Sequence, residues 1–389
     1  MKLLKYIFHI DHLLITLLAF ALTGLTYYVV LNFSMFDPLE EALGNMSSTD
    51  LFFRVANKGS DVNQDITIVD IGNEYNRGNL ARGFAKIDSL KPWVTGIDVV
   101  FADLRGEPDD NMILLETVTN MSENTVWGTR LLDYDGKTKA FTGKRSSFFA
   151  DTLGVREGFT NLDDNFEHKT IRNMLTVENL GDMAMNSFPV EIALVLDSLS
   201  LQPQKKLTID FTTKFVVVPL DSVDAYKELI SDHIVMVGSC TDEGDMWSTP
   251  LGKMPGVMLQ AYSVETIRSH RNISYANTWV NLLIAFVLCY LFELIVDSVL
   301  GWLKRSKKGW CLFGKESNLV LRVVTIVFLF FVLWGILLMF VHKSVYLDAI
   351  LILLLLGFVL ESRSIYNAAI ETLSRKHNWW LLRNTLINK

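Results

Sequence analysis

The sequence predicts an α/β fold, a domain with a largely parallel or mixed sheet flanked by helices, carried on four transmembrane helices, one before it and three after. Three observations predict it. Apolar residues make up 50% of the 389, and they concentrate in long uncharged runs near the two ends. Between those runs, short β-branched stretches alternate with segments of helical spacing, the pattern of a parallel sheet. Charge divides the same way: residues 32–276 carry 22 Lys and Arg against 36 Asp and Glu, whereas the rest of the chain carries 14 against 7. This composition excludes a disordered chain and a disulfide scaffold. Cys240, Cys289 and Cys311 are scattered, with no CxxC pair, so neither a metal nor a cofactor is expected.

The first apolar run, Leu13 to Leu31, is about as long as the roughly 20 residues a spanning helix needs. It is longer than a signal-peptide core, and its A-x-A pattern, Ala19-Phe20-Ala21, falls mid-run, so it reads as a retained anchor. Three more runs lie at Trp279 to Leu300, Leu319 to Val341 and Tyr346 to Leu360, the last short enough that it should extend into the residues that follow. Lys304, Arg305, Lys307, Lys308 and Lys315 sit between the second and third runs, and Arg363, Arg375, Lys376, Arg383 and Lys389 follow the fourth. Short basic loops stay in the cytoplasm. The expected organisation is an anchor helix at 1–33, an exported domain at 34–276, a three-helix membrane bundle at 277–361 and a cytoplasmic amphipathic tail at 362–389. The expected location is the inner (cytoplasmic) membrane. Lipid is one partner, and an acidic exported surface excludes nucleic acid.

Within the acidic block, Gln64 to Ile71 reads as a buried strand, Asn79 to Leu90 as a helix, and Val94 to Phe101 as a second strand, together a βαβ unit. A helix at Asn111 to Thr119 and a strand at Thr125 to Gly128 continue it. Leu207 to Phe211 and Lys214 to Pro219 read as a hairpin, Ile234 to Gly238 as another buried strand, and Gly256 to His270 as a helix leading into the second span.

Several spaced pieces, in this order, resemble the second class of CHASE domain, the extracytoplasmic sensory module associated with cyclases and histidine kinases. Ile68-Val69-Asp70-Ile71, Arg82-x-Phe84-Ala85-x-Ile87-x-x-Leu90, Gly96 to Phe101 and Asp110-x-x-Ile113-Leu114 are similar to its N-terminal half. Gly158-Phe159-x-Asn161 with Ile171-Arg172 resembles its middle. Ile234 to Ser239, Gly244-Asp245, Thr249-Pro250 and Pro255-Gly256-Val257 with Ala261 resemble its end. The similarity covers about residues 35 to 270, and one anchor before with three spans after is the family's arrangement. The chain departs from the family pattern at Gly72, at Asn79-Leu80-Ala81 and at Gln260. The resemblance implies a sensor, and because about 28 residues follow the last span, a kinase or cyclase domain is expected on a separate polypeptide.

Candidate ligand residues are Asp70, Asp98, Arg82, Arg172, Asp242 and Asp245. Asp98 falls in a strand expected to be buried on both faces, where an unpaired carboxylate is costly. Arg82 is its natural partner, giving a structural ion pair; alternatively Asp70 and Asp98 sit at the carboxyl edge of the sheet, where open α/β sheets bind ligands. The loop from Ser239 to Asp245 is acidic and lysine-free, which suits a hard cation or an amine better than a phosphate, or is a solvated turn. In the membrane segments, Glu293 and Asp297 share one helix face, and Arg322 could pair with either. That contact reads as a structural clamp, as a bistable signalling contact or as a proton site. From Ser362 onward, Tyr366, Ile370, Leu373, Trp380 and Leu381 line one side of a helix that lies on the membrane surface, docks a partner or packs as an ordinary helix.

No nucleophile elbow, HExxH or paired-lysine motif is present, so no enzymatic activity is expected. The expected function is a membrane-anchored sensor that hands its signal to a separate protein, with homo-oligomerisation open. The alternative is a scaffolding subunit of an envelope complex.

Overall fold

The computed structural model describes residues 7–32, 48–162, 170–196, 205–271, 273–305 and 319–376. The chain forms two compact units, Thr49–Ile273 and the joined segments Met1–Ser48 and Ser274–Lys389. Helix α1 (Ile10–Asn32) belongs to the second of these.

The Thr49–Ile273 unit contains, in order, α2 (Ser48–Lys58), β1 (Val62–Asp70), α3 (Arg77–Ser89), β2 (Val94–Ile97), α4 (Pro108–Asn120), β3 (Thr125–Asp135), β4 (Ala140–Arg145), α5 (Ala150–Leu153) and β5 (Arg156–Phe159). There follow β6 (Asn173–Leu175), β7 (Val177–Leu180), β8 (Met183–Asn186), α6 (Phe188–Val195), β9 (Lys206–Thr208), β10 (Lys214–Pro219), a 3₁₀ segment Leu220–Leu229, β11 (Ile234–Gly238), β12 (Met246–Thr249), β13 (Gly252–Pro255) and α7 (Gly256–Arg268). Nine strands form one mixed sheet in the order β10-β1-β11-β2-β3-β4-β7-β8, with β5 pairing β3. Its centre, β10 through β3, is parallel throughout.

Alternation along the central strands explains the layers. On one face Val69, Ile97, Trp127, Val235 and Val237 pack with Leu80, Phe84 and Ile87 of α3, Leu114 and Val118 of α4, and Val223 of the 3₁₀ segment. On the other, Ile66, Ile68, Val94, Val126, Ile234 and Met236 pack with Phe188 and Ile192 of α6 and Val257, Ala261 and Val264 of α7. Strands buried on both faces read as continuous apolar runs, as these do. Helix α3 begins where the Asn76 side chain accepts from the Asn79 N–H at 2.8 Å. Helix α4 begins at Pro108, with Asp109 and Asp110 in its first turn.

Three expectations are corrected. The second strand stops at Ile97 rather than running to Phe101, which puts Asp98 at the strand's end instead of in its interior. The hairpin of 207–211 with 214–219 does not form: β9 pairs antiparallel with β6, while β10 pairs parallel with β1. Between them, the Asp210 N–H donates to the Thr266 hydroxyl oxygen at 2.8 Å and the Asp210 carboxylate accepts from the Thr212 N–H at 2.9 Å, bonds to α7 and within the turn in place of a hairpin ladder. The strand expected at Thr125 to Gly128 runs on to Asp135 and pairs antiparallel with β4, so of the two arrangements expected, largely parallel or mixed, the sheet is mixed.

In the other unit, α1 is joined by β14 (Ser274–Tyr275), α8 (Thr278–Arg305), α9 (Leu319–Lys343), β15 (Val345–Tyr346), α10 (Ala349–Gly357) and α11 (Val359–Lys376). Four helical stretches are long and apolar enough to cross a membrane: Ile10–Tyr28, Thr278–Leu303, Leu319–Lys343 and Ala349–Leu373. The short strands β14 and β15 pair in parallel, tying the start of α8 to the end of α9. The fourth stretch extends beyond Leu360, as expected. Residues 306–318, with most of the basic loop, and 377–389, with Trp380 and Leu381, lie outside the described residues.

Candidate functional site

Strands β1, β2 and β11 all end at one edge of the sheet, and β11 lies between the other two although it comes last in the chain. The connections leave this edge in different directions, the situation in which open α/β sheets form a crevice. A cavity of about 650 Å³ opens there, lined by residues just past the strand ends and by the first turns of α3 and α4.

Asp98 follows β2 directly and lines this cavity. Its backbone N–H donates to Val237 O at 2.8 Å, continuing the strand pairing by one residue. Its carboxyl accepts no hydrogen bond from any described residue. Burial, reinforced by the charge of Asp245, pushes it up to about 7. Asp245 is held instead: its carboxylate accepts from Trp247 Nε1 at 2.9 Å and from the Gly256 N–H at 3.0 Å, at the start of α7. Any side chain at 256 would collide with that carboxylate, which explains the glycine. Burial raises the Asp245 pKa as well, against the lowering effect of those two bonds. A smaller cavity of about 80 Å³ continues past both acids to Arg130, Trp247 and Gln260.

The neighbouring loops are stitched from within. Asp70 Oδ1 accepts from the Gly72 and Cys240 N–H groups, both at 2.8 Å, joining the loop after β1 to the loop after β11. Gly72 turns with φ of 58°, which a side chain would strain. Ser239 Oγ donates to Gly72 O at 2.9 Å and accepts from the Asp242 N–H. Asp242 itself is exposed, accepts from the Gly244 N–H at 2.8 Å and lines the large cavity. Among the described residues no three His, Cys, Asp or Glu side chains come close enough to hold a metal ion.

The remaining sequence candidates lie elsewhere. Arg82 does not pair with Asp98. It is exposed on α3, donates to Asn79 Oδ1 at 2.5 Å, and lines a separate depression that it shares with Asp70, Lys86 and Asp221. The turn of α3 carries it outward, away from the end of β2. Arg172 forms a two-pronged pair with Asp50 of α2, at 2.8 and 2.7 Å, and does not line the cavity.

Residues that sequence reasoning missed do line it: Glu74, Tyr75, Arg77, Arg105, Glu107 and Asp110. Arg77 is buried, donates to Asn111 Oδ1 and Asp103 O, and stacks its guanidinium over the Phe101 and Phe148 rings at 5.5 Å each. Burial lowers its pKa. Asn76 donates to Asp110 at 2.6 Å and so joins the starts of α3 and α4. The available signal was helix capping: Asn76 three residues before Asn79, and Pro108 followed by two aspartates, mark two helix starts close to the sheet edge.

Among the apolar helices, Glu293 and Asp297 do share one face of α8, but their partner is Arg363 of α11. Arg363 Nη1 donates to the fully buried Glu293 and Nη2 donates to Asp297 at 2.6 Å. His12 Nδ1 of α1, also fully buried, lies 3.6 Å from Glu293 Oε1. Tyr366 of α11 donates to Asp11 of α1 at 2.9 Å. Arg322 is exposed on α9 and is not the cation of this cluster. The pairing expectation erred because Arg363 fell in a stretch read as a surface tail, whereas α11 packs on α1 and α8. Through Leu373 that stretch lies in a helical run of membrane-crossing length and apolarity.

Neither the curated proteins nor the solved structures give a match to this chain. Four helices of membrane-crossing length and apolarity, together with a domain of extracytoplasmic sensory type, mark a multi-pass membrane protein. The family model that describes such a domain, the CHASE2 domain, matches residues 15–295, from within α1 through the whole α/β unit and into α8, and the chain therefore belongs to the CHASE2 domain family of sensory modules.

Proposed function

We propose that this protein is an inner-membrane sensor of bacterial type whose α/β domain faces away from the cytoplasm, binds a small cue in the Asp98 cavity and passes its state through the helices after it to a separate output protein. The observation that carries the reading is the cavity: a recess of about 650 Å³ at the switch point of a parallel sheet, in a chain of a sensory-domain family. The acidic balance of residues 32–276 and the basic residues flanking the apolar helices support the orientation. Covalent continuity supports the route, because α7 ends at Arg268 and α8 begins at Thr278.

The test compares proteins copurifying in mild detergent with the wild-type chain and with an occluded variant, Arg105→Trp with Glu107→Trp, both exposed at the cavity. A sensor should change its partners, or their amounts, when the cavity is closed. A scaffold that senses nothing should retain the same partners in the same ratio, and that result ends the sensor reading.

A further inference from the structure

Glu293 of α8 and His12 of α1 are both fully buried, with Glu293 Oε1 3.6 Å from His12 Nδ1. Arg363 divides its two terminal nitrogens between Glu293 and Asp297, so it grips Glu293 by one prong, at Oε1. The other oxygen, Oε2, is buried and accepts no hydrogen bond from any described residue. A two-pronged guanidinium would have supplied both oxygens. A carboxylate wholly out of water bears a cost until its remaining capacity is met, and the nearest group able to bring a further charge is His12. At 3.6 Å the pair stands beyond hydrogen-bond length yet within the reach of an ion pair.

The ionisable groups around the pair come from every helix packed on it. On α1, the His9 ring lies 6.3 Å from that of His12, and its Nδ1 is 3.4 Å from Asp11 Oδ2. Asp11 accepts in turn from Tyr366 of α11, the helix that also brings Arg363. On α8, Tyr290 meets the His12 ring edge-on at 6.2 Å and donates its hydroxyl to Ile7 O, while Cys289 is a buried thiol one turn before Glu293. Helix α10, packed on α1 and α8, has no ionisable side chain, and those of α9, Arg322, His342 and Lys343, are exposed. Among these groups an imidazole is the kind that changes charge between pH 5 and 8, and a charged imidazole among apolar helices needs a carboxylate beside it. We propose that His12 is a proton-binding site inside the helical unit: with a proton on its ring it pairs with Glu293 and latches α1 to α8, and without that proton the latch opens while Arg363 keeps α8 joined to α11. Helix α1 precedes the α/β unit in the chain and α8 follows it, so the latch joins the two tethers of that unit. It holds whether or not the Asp98 cavity binds a cue.

The experiment uses the full chain in detergent micelles, with isotope-labelled histidine, and follows the ring nitrogens by magnetic resonance from pH 5 to pH 9. The His12 signal is the one missing from His12→Gln. The expected result is a ring that passes from imidazolium to imidazole across this range, with a midpoint that Glu293→Gln moves by about 1–3 pH units, the scale of removing an adjacent opposite charge. A ring that stays in one state throughout overturns the proposal; a proton held on Glu293 instead would show itself in this way. A midpoint that Glu293→Gln leaves unmoved overturns it too, because the imidazole would then titrate without the carboxylate. A second measurement keeps Glu293 in place, in case its variant fails to fold. Wild type should melt about 2–4 °C above His12→Gln at pH 5, and the gap should close by pH 9. Titrations common to both chains, that of Asp98 included, cancel in this difference. A gap of the same size at both pH values, or no gap at either, overturns the latch.

Discussion

Among the apolar helices, Glu293 and Asp297 share one guanidinium, which joins their helix to another, whereas in the α/β unit Asp98 sits at a cavity with no hydrogen-bond donor. Glu293 is wholly out of water and Asp98 partly so, and a carboxylate withdrawn from water bears a desolvation cost that grows with its burial. The helices meet it inside the chain, through Arg363. The sheet edge leaves it unmet, and Asp98 responds by holding its proton up to about pH 7. A charge satisfied internally fixes one packing; a charge left without a donor favours a change of state, by proton or by ligand. The first arrangement suits a permanent joint and the second suits a site.

The joint is the place to expect the largest effect. Arg363→Ala takes their shared guanidinium from two carboxylates among apolar helices, and breaking a buried pair in this way costs about 3–5 kcal/mol. Thermal unfolding of the detergent-solubilised chain should show it as a large fall, while Arg322→Ala, on an exposed side chain, should stay within about 0.5 kcal/mol of wild type. An equal fall in both variants would mean that the partner of Glu293 has been misassigned.

At the sheet edge the sign is opposite. Asp98 has an ordinary value of 3.8 and a folded value of about 7. Between those values the folded chain keeps a proton that the unfolded chain has released, so stability is full below about pH 4 and is lost as pH rises to about 7. At 1.36 kcal/mol per unit the loss reaches up to about 4 kcal/mol. Asp98→Asn should therefore be more stable than wild type at pH 8 by up to that amount and nearly equal to it at pH 4. A variant that is less stable at both pH values would show that the carboxylate is satisfied after all, and the contrast with Arg363 would dissolve.

The same contrast separates what was legible in the sequence from what was not. The βαβ core could be read because strands covered on both faces are written as unbroken apolar runs, such as Ile234 to Gly238, and helices α3 and α4 because their buried positions recur at helical spacing. Glu293 and Asp297 could be placed on one face by spacing alone. Their partner could not, because the choice between Arg322 and Arg363 depends on which helices pack together, a property of the whole unit. Asp98 and Asp245 were picked out as single residues, and the cavity lined by both assembles from loops that begin at residues 71, 98 and 239, far apart in sequence. Arg77 went unnoticed because its role depends on Phe101, Asn111 and Phe148, none of which lies within a helical turn of it.

A middle case sharpens the comparison. Arg172 and Asp50 form a two-pronged pair that is partly buried, with 19% and 17% of their side chains exposed. Such a pair behaves as a weaker version of the Arg363 joint. Arg172→Ala should cost about 2 kcal/mol, the scale of hydrogen bonds to charged groups, and should leave the pH dependence set by Asp98 unaltered because Arg172 does not line that cavity. Unfolding of the variant followed from pH 4 to pH 8 decides the second point: a shifted profile would place Arg172 at the Asp98 site and reinstate it as a candidate ligand residue.

The smallest effect belongs to Arg82, the residue that sequence reasoning paired with Asp98. It is exposed, it donates a hydrogen bond to Asn79 three residues earlier on the same helix, and such surface contacts contribute at most a few tenths of a kcal/mol. Arg82→Ala should therefore change the melting temperature by no more than about 0.5 kcal/mol would. It should also leave the pH dependence set by Asp98 where it is. That second measurement is the discriminating one, because a guanidinium close to Asp98 would hold its carboxyl down, and removing it would carry the fall in stability to higher pH. An unshifted profile shows that Arg82 does not act on Asp98, and leaves Arg130, which lines the small cavity with it, as the guanidinium on that side.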